Sequence, residues 1–455
     1  MQPSHWIIAP LRPCGKVVMS QQTSAVGAGT DSAGATIPRA RWWRIGLLLF
    51  LVYTVAFADR QNISVAAPAM VKDLGLSATV TGVLLSAFFW GYVITQIPGG
   101  VLASKIGPKR VIVGTLIVWG AAAIATGLVP TYDSLLAVRF IMGLAEGAVW
   151  PSFAVVFVNW YPDSERGRAI NFSEMALPVS SIIMAPTAGW LIANWNWHAM
   201  FIVQGIPPLI MAGAFALWGA DHPDRDRFLS NTERDYLAAH RSRGSKETGS
   251  FLDVMRNPFV WAFCLIYFLW ITGLYSFGLW LPTLLTQLSG RGIAAVGLLS
   301  AVPFVLAAVG MYFNARWSDR SQHGRAWFVV VPLVIAGVAL LVQHYLALGL
   351  TGNMVMLVIA GIGLYGAFGP FWAWSLQHIP RNQAGPGMGL INLCGNFGGI
   401  VGPVIVGAAA VGGKVATGFY ILGFFLLAAG LGAAVLNTVG RSRIAPTPDP
   451  AMAHP

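Results

Sequence analysis

Charge is what this sequence has least of. Asp, Glu, Lys and Arg together make up 10% of its 455 residues, whereas 56% are hydrophobic. A water-soluble chain of that length carries far more polar surface, so a soluble globular protein is excluded. Cysteine is nearly missing: Cys14, Cys264 and Cys394 stand apart from one another, with neither the spacing of a disulfide framework nor that of a zinc site. No glycine-rich loop ending in Lys and Ser or Thr is present, which argues against ATP as an energy source. The apolar stretches hold no nucleophile with a base and no metal-ligand set, so an enzyme is not expected and no cofactor is called for. His198, His344 and His378 lack a ligating companion three or four residues on and read as structural.

What is present in abundance is apolar sequence in pieces of membrane-spanning length. Twelve stretches of roughly 20 residues recur, the first near 43–66 and the last near 416–438. The spacing predicts an all-α membrane protein of two six-helix bundles, 42–219 and 258–440, joined by a polar linker, 220–257, that reads as partly helical. Residues 1–41 read as a disordered leader, with Met1 or Met19 as the start, and 441–455 as a tail. With both ends placed inside, 23 of the 28 Lys and Arg fall in inner segments and three outside, while Arg60 and Arg139 stay in the membrane. That asymmetry predicts a multi-pass protein with cytoplasmic termini, and a bacterial inner membrane is its expected location. It also explains the net charge of +11 better than nucleic-acid binding does. A monomer in contact with lipid is expected.

Charged residues inside the spans cost at least ~2.5 kcal/mol each on insertion scales, and those that persist are paired, wet or functional. Asp59 and Arg60 lie deep in the first stretch, Arg139 and Glu146 in the fourth, and Glu174 in the fifth. Seven residues separate Arg139 from Glu146, two helical turns or roughly 10 Å along one face. Pairing of Arg139 with Asp59 and of Arg60 with Glu146 is expected, because unpaired buried charge is strongly unfavourable. Protonating a carboxylate in such a network frees its arginine for an anion, which links proton binding to anion binding. The alternative is a fixed network that only holds helices together.

Between the second and third stretches runs a short basic turn, Gly100-Val-Leu-Ala-Ser104-Lys105-Ile-Gly107-Pro-Lys109-Arg110. It resembles the loop signature of the major facilitator superfamily, which controls opening and usually has an acid where Ser104 stands. A weaker echo, Trp317-Ser-Asp319-Arg320 with Arg325, follows the eighth stretch and supports a duplicated architecture. Within that superfamily the chain resembles the anion:cation symporter family, whose members include galactonate, glucarate and hexuronate carriers. Four segments carry the resemblance: Asp59-Arg60-Gln-Asn62-Ile-Ser-Val-Ala-Ala-Pro68, Arg139-Phe-Ile-Met-Gly143-Leu-Ala-Glu146, Trp160-Tyr-Pro162-Asp-Ser-Glu165-Arg166-Gly-Arg168, and Trp280-Leu-Pro282. It covers roughly residues 42–440.

The resemblance implies a fold of two pseudo-symmetric six-helix bundles and a secondary transporter working by alternating access on a proton gradient. The substrate it implies is a small organic anion such as a sugar acid, with tartrate- and phthalate-type acids, or efflux of such compounds, as alternatives. It implies that Arg60 binds the substrate carboxylate, that Asp59 and Glu146 take part in proton coupling, and that Tyr92 touches substrate. Either Asn392 or Asn396 is then a partner for substrate hydroxyls. Glu174 departs from the neutral amide that sugar-acid carriers place nearby and stands as a second proton site or a selector of a different substrate. Arg139 is a further candidate beside the anion. Among the aromatic residues crowded into the seventh and tenth stretches, Tyr275, Trp372 and Trp374 offer faces for a sugar or a planar ring.

Overall fold

The computed structural model describes residues 40–240, 251–321, 324–346, 348–380 and 383–443. The leader up to residue 39, with Met19 and Cys14, and the tail from 444 lie outside the described residues. Twelve helices in it are long and apolar enough to cross a membrane. In the first half these are α1 (Trp42–Leu74), α2 (Ala78–Ile106), α3 (Pro108–Thr126), α4 (Tyr132–Trp160), α5 (Glu165–Asn194) and α6 (Trp197–Trp218). The second half comprises α7 (Pro258–Ser289), α8 (Ile293–Arg320), α9 (Trp327–Tyr345), α10 (Leu350–His378), α11 (Ala384–Ala409) and α12 (Ala416–Val439). Helix ends follow local chemistry. Gly75 closes α1 in the left-handed region at φ 63°, Ser77 caps α2 by accepting from the Val80 amide, and Asn257 with Pro258 opens α7.

Several spans are interrupted near the middle of the membrane. Helix α4 breaks after Glu146 and resumes at Val149, α5 breaks at Met175 directly after Glu174, and α10 breaks at Ala367. Backbone groups released at such points need partners, because lipid offers none. At the α10 break the Trp270 indole of α7 donates to the Leu364 carbonyl at 2.9 Å.

Packing between helices relies on small residues, since lipid tails remove the usual hydrophobic drive for association. A Cβ added at Gly143 of α4 would collide with the Phe88 carbonyl of α2, so these helices touch backbone to backbone beside Glu146. The two halves meet in the same way at the side of the membrane away from the described chain ends. There Gly407 of α11 lies against the Ala78 carbonyl of α2, and a Cβ on Gly189 of α5 would stand 2.9 Å from the Ile293 carbonyl of α8.

The linker departs from a loosely attached tether. Its helix Asn231–His240 is held to the first half by a buried cluster. Arg41 pairs with Glu165 and Glu233, each at 2.8 Å, and Glu233 also accepts the Ala40 and Arg41 amides. Arg44 pairs with Asp226, and Tyr236 donates to Glu165 at 3.1 Å. Burial alone would depress the Arg41 guanidinium, but hydrogen bonds and charge from both glutamates carry it above its ordinary value. Ala40 and Arg41 therefore belong to the folded first half, so the leader ends earlier than the composition break near 42 implies.

Candidate functional site

The buried charges of the first half converge at mid-membrane, where α1, α2 and α4 face α7, α10 and α11. Adjacent residues on a helix point about 100° apart, and Asp59 and Arg60 accordingly address different surroundings. Arg60 turns toward the second half. Its Nε donates to Glu146 Oε1 at 2.6 Å, and both side chains are almost wholly enclosed, at 4% and 0% exposure. The guanidinium carbon lies 4.4 Å from the Tyr92 ring centre and 4.6 Å from that of Phe57. Glu146 Oε2 is buried and has no hydrogen-bond partner.

Asp59 turns inward to its own half. Its carboxylate accepts from the Trp119 indole of α3 at 2.8 Å and from the Asn62 amide at 3.1 Å. Arg139, expected to pair with that carboxylate, instead places Nη1 3.5 Å from the Asp59 backbone carbonyl and 3.5 Å from Met142 Sδ. Its Nε and Nη2 are buried without a hydrogen-bond partner. The reason is competition. An indole and an amide one turn away each take one oxygen of the carboxylate, and the arginine meets the carbonyl behind it.

Glu174 ends the first segment of α5, half-buried and within electrostatic reach of Arg60. Tyr275 of α7 donates to Asn396 Oδ1 at 3.2 Å, while the Asn396 amide donates to the Asn392 carbonyl at 2.9 Å. Of the two asparagines, Asn396 is therefore the one tied to the site's aromatic wall. Trp374 is buried against Phe263 at 4.8 Å, and Trp372 packs on Tyr267 at 5.1 Å, both in the second half's own core.

Between the halves lies a cavity of about 10 Å³, space for roughly one water molecule. Arg60, Phe57, Phe89, Leu177 and Tyr275 line it, together with Gln61 and Tyr365. Of the residues singled out from the sequence, Arg60 and Tyr275 reach this cavity, with Glu146 and Tyr92 directly behind Arg60. Gln61 and Ser181 were not singled out, and Tyr365 only as one of the aromatic residues crowded into the tenth stretch. Ser181 donates to Gln61 Oε1 at 3.0 Å, and Tyr365 approaches both from α10. The only sequence signal of Gln61 and Ser181 is polarity inside apolar helices.

At the inner basic turn, Ser104 is exposed and donates to its own Gly100 carbonyl at 2.9 Å, and Arg110 is exposed as well. The acid that meets this turn is Asp221 from the start of the linker. It accepts the Lys109 amide at 2.8 Å and lies against Gly107, whose φ of 95° only glycine adopts easily.

Comparison with known proteins agrees with this architecture. The family model described as Major Facilitator Superfamily matches residues 49–403. A putative tartrate transporter of Agrobacterium vitis is 31% identical over 396 residues, 84% of this chain and 86% of its own length. A probable galactarate/D-glucarate transporter of Escherichia coli is 28% identical over 421 residues, covering 85% and 89%. Among solved structures, a bacterial homologue of the human lysosomal transporter Spinster, inward-facing and unoccupied, superposes with a TM-score of 0.72. It does so at 19% identity, covering 89% of this chain and 98% of its own, and supports the fold.

Proposed function

This chain belongs to the Major Facilitator Superfamily, and from that premise we propose that it is a proton-coupled symporter taking up a small organic anion. The two relatives named for tartrate and galactarate/D-glucarate transport favour an organic acid as cargo. The observation that carries the coupling is the Arg60–Glu146 pair. A single carboxylate holds the one charged side chain that, among the described residues, lines the cavity between the halves, and its second oxygen has no hydrogen-bond partner.

The cycle follows from that geometry. A proton on Glu146 Oε2 neutralises the carboxylate and releases the guanidinium, which then takes the substrate's carboxylate in place of Glu146. Loss of substrate lets the pair reform and expels the proton. Asp59, ligated by two donors on the far side of α1, supplies a second proton site and fixes the helix that carries Arg60. Glu174 stands near enough to Arg60 to compete for the same charge. Positive charge placed mostly at the side bearing the chain ends supports a cytoplasmic placement of that side. The close contacts at Gly189 and Gly407 then make the outer side the closed one in this conformation.

The test is uptake by energised vesicles. Arg60→Ala is expected to abolish anion uptake, and Glu146→Gln to retain exchange while losing pH-driven accumulation. Uphill transport at the wild-type level in either variant contradicts the mechanism.

A further inference from the structure

We infer that the preferred substrate is a flat, aromatic monocarboxylate rather than a polyhydroxylated or dicarboxylic acid; this rests on the reading of Arg60 as the anion site. Two features of the cavity point there.

The first is charge. Among the described residues Arg60 is the only charged one that lines the cavity; its guanidinium is paired with Glu146, and the carboxylate of Glu174 is within its electrostatic reach. One cation flanked by two acids matches one carboxylate. A second carboxylate on the substrate has no cation to meet and faces the field of Glu174.

The second is the scarcity of free polar groups. Phe57, Phe89, Leu177, Leu274 and Leu279 make up half of the wall. Its uncharged polar members are engaged with one another or with neighbours: the Gln61 oxygen accepts from Ser181, Tyr365 approaches both, and Tyr275 donates to Asn396, which is itself tied to Asn392. A sugar acid brings four or five hydroxyls, and each one left unmatched costs roughly tenfold in affinity. An aromatic ring asks for none of these bonds and gains from the ring faces instead. Phe89 of α2 and Tyr275 of α7 stand one on each half, their ring centres 4.4 Å apart. Parting the halves by about one ring thickness, ~3.5 Å, admits a planar body between them with its carboxylate on Arg60. A puckered polyol needs a wider opening.

The experiment is equilibrium binding to the purified full-length protein at pH 6, by ligand-induced thermal shift and titration calorimetry, with benzoate and nicotinate against galactonate, glucarate and tartrate. Each probe is measured on the wild type, Arg60→Ala and Phe89→Leu. The expected result is at least tenfold tighter binding of the aromatic monocarboxylates, lost in Arg60→Ala and weakened several-fold in Phe89→Leu. Phe89→Leu keeps an apolar side chain of similar bulk and removes only the ring face. Tighter binding of galactonate, glucarate or tartrate that disappears in Arg60→Ala overturns this inference and leaves the organic-anion reading standing. Binding of any probe that persists unchanged in Arg60→Ala overturns the reading itself. Absence of binding by benzoate and nicotinate to a wild type that is folded and transports another anion likewise overturns the inference.

Discussion

Glu146→Gln separates two roles that a carboxylate beside Arg60 can play, a permanent tie or a competitor for the substrate. In the native pair, side chains 4% and 0% exposed share a 2.6 Å hydrogen bond, so neither charge has water to fall back on. Removing one partner of such a buried pair costs about 3–5 kcal/mol. The glutamine oxygen keeps a neutral hydrogen bond to Arg60, which returns part of that loss. If an incoming carboxylate recovers about 1.5–2 kcal/mol of the remainder, the variant binds its anion roughly 10- to 30-fold more tightly at alkaline pH.

The pH dependence is the sharper readout. On the proposed mechanism the wild type binds the anion together with a proton. Affinity is therefore full where Glu146 is protonated and falls tenfold per pH unit once it ionises. Glutamine is permanently in the neutral form, so its binding curve is flat over the same range. Calorimetric titration at half-unit steps between pH 5.5 and 8.5 measures both slopes with whichever anion binds the wild type. A one-decade-per-unit slope surviving in Glu146→Gln refutes the assignment of the coupled proton to this residue.

Three further outcomes follow from the structure. Arg41→Ala removes the cation shared by the buried Glu165 and Glu233 and is expected to loosen the linker helix by about 3 kcal/mol. That corresponds to a rise of about 100-fold in amide exchange over Asn231–His240, read by mass spectrometry; a change under about fivefold rules the cluster out as the clamp. Trp119→Phe removes the 2.8 Å indole donor from Asp59 and is expected to cost about 1.5–3 kcal/mol. A double-mutant cycle with Asp59→Asn, followed by thermal unfolding, should show most of that as coupling. Gly407→Val drives a side chain into the Ala78 carbonyl and should hold the outer side open. Spin labels at Lys72 and Lys414, both exposed on that side, then report a longer distance distribution than in the wild type.

The parts of this molecule legible in the sequence are those where solvent dictates residue type. Spans announce themselves because lipid tolerates only apolar helices, and Arg60 and Glu146 because charge at that depth persists only for cause. Their pairing was foreseeable for the same reason. The arrangement around Asp59 was not, since the donors that meet its carboxylate are an indole and an amide whose spacing carries no signature. The same holds for Asp221, one acid in a charge-rich linker until the fold sets it against Gly107. Gln61 and Ser181 lie 120 residues apart and become a pair only when α1 and α5 pack.

The interruptions in the helices tie the site to its motion. Glu146, Glu174 and Tyr365 each stand within two residues of the turn that breaks α4, α5 or α10. At those turns Ala148, Met175 and Ala367 have ψ values of −10°, −15° and −14°, flatter than a regular helix and close to the tighter winding of a 3₁₀ turn. Such a turn bends with little loss of hydrogen bonding, so a helix divided there has two rigid segments and one soft joint. A side chain in the middle of an unbroken helix can change partner without moving the backbone. One at a joint cannot, because the direction of the next segment depends on where that side chain is held. On the proposed cycle, the contact released when Arg60 exchanges Glu146 for a substrate carboxylate is the one held at the end of the first α4 segment. The first half thus carries the charges beside two such joints, and the second answers with an aromatic wall hinged at the third. Charge exchange on one side of the cavity and closure around the ligand on the other are then one rearrangement.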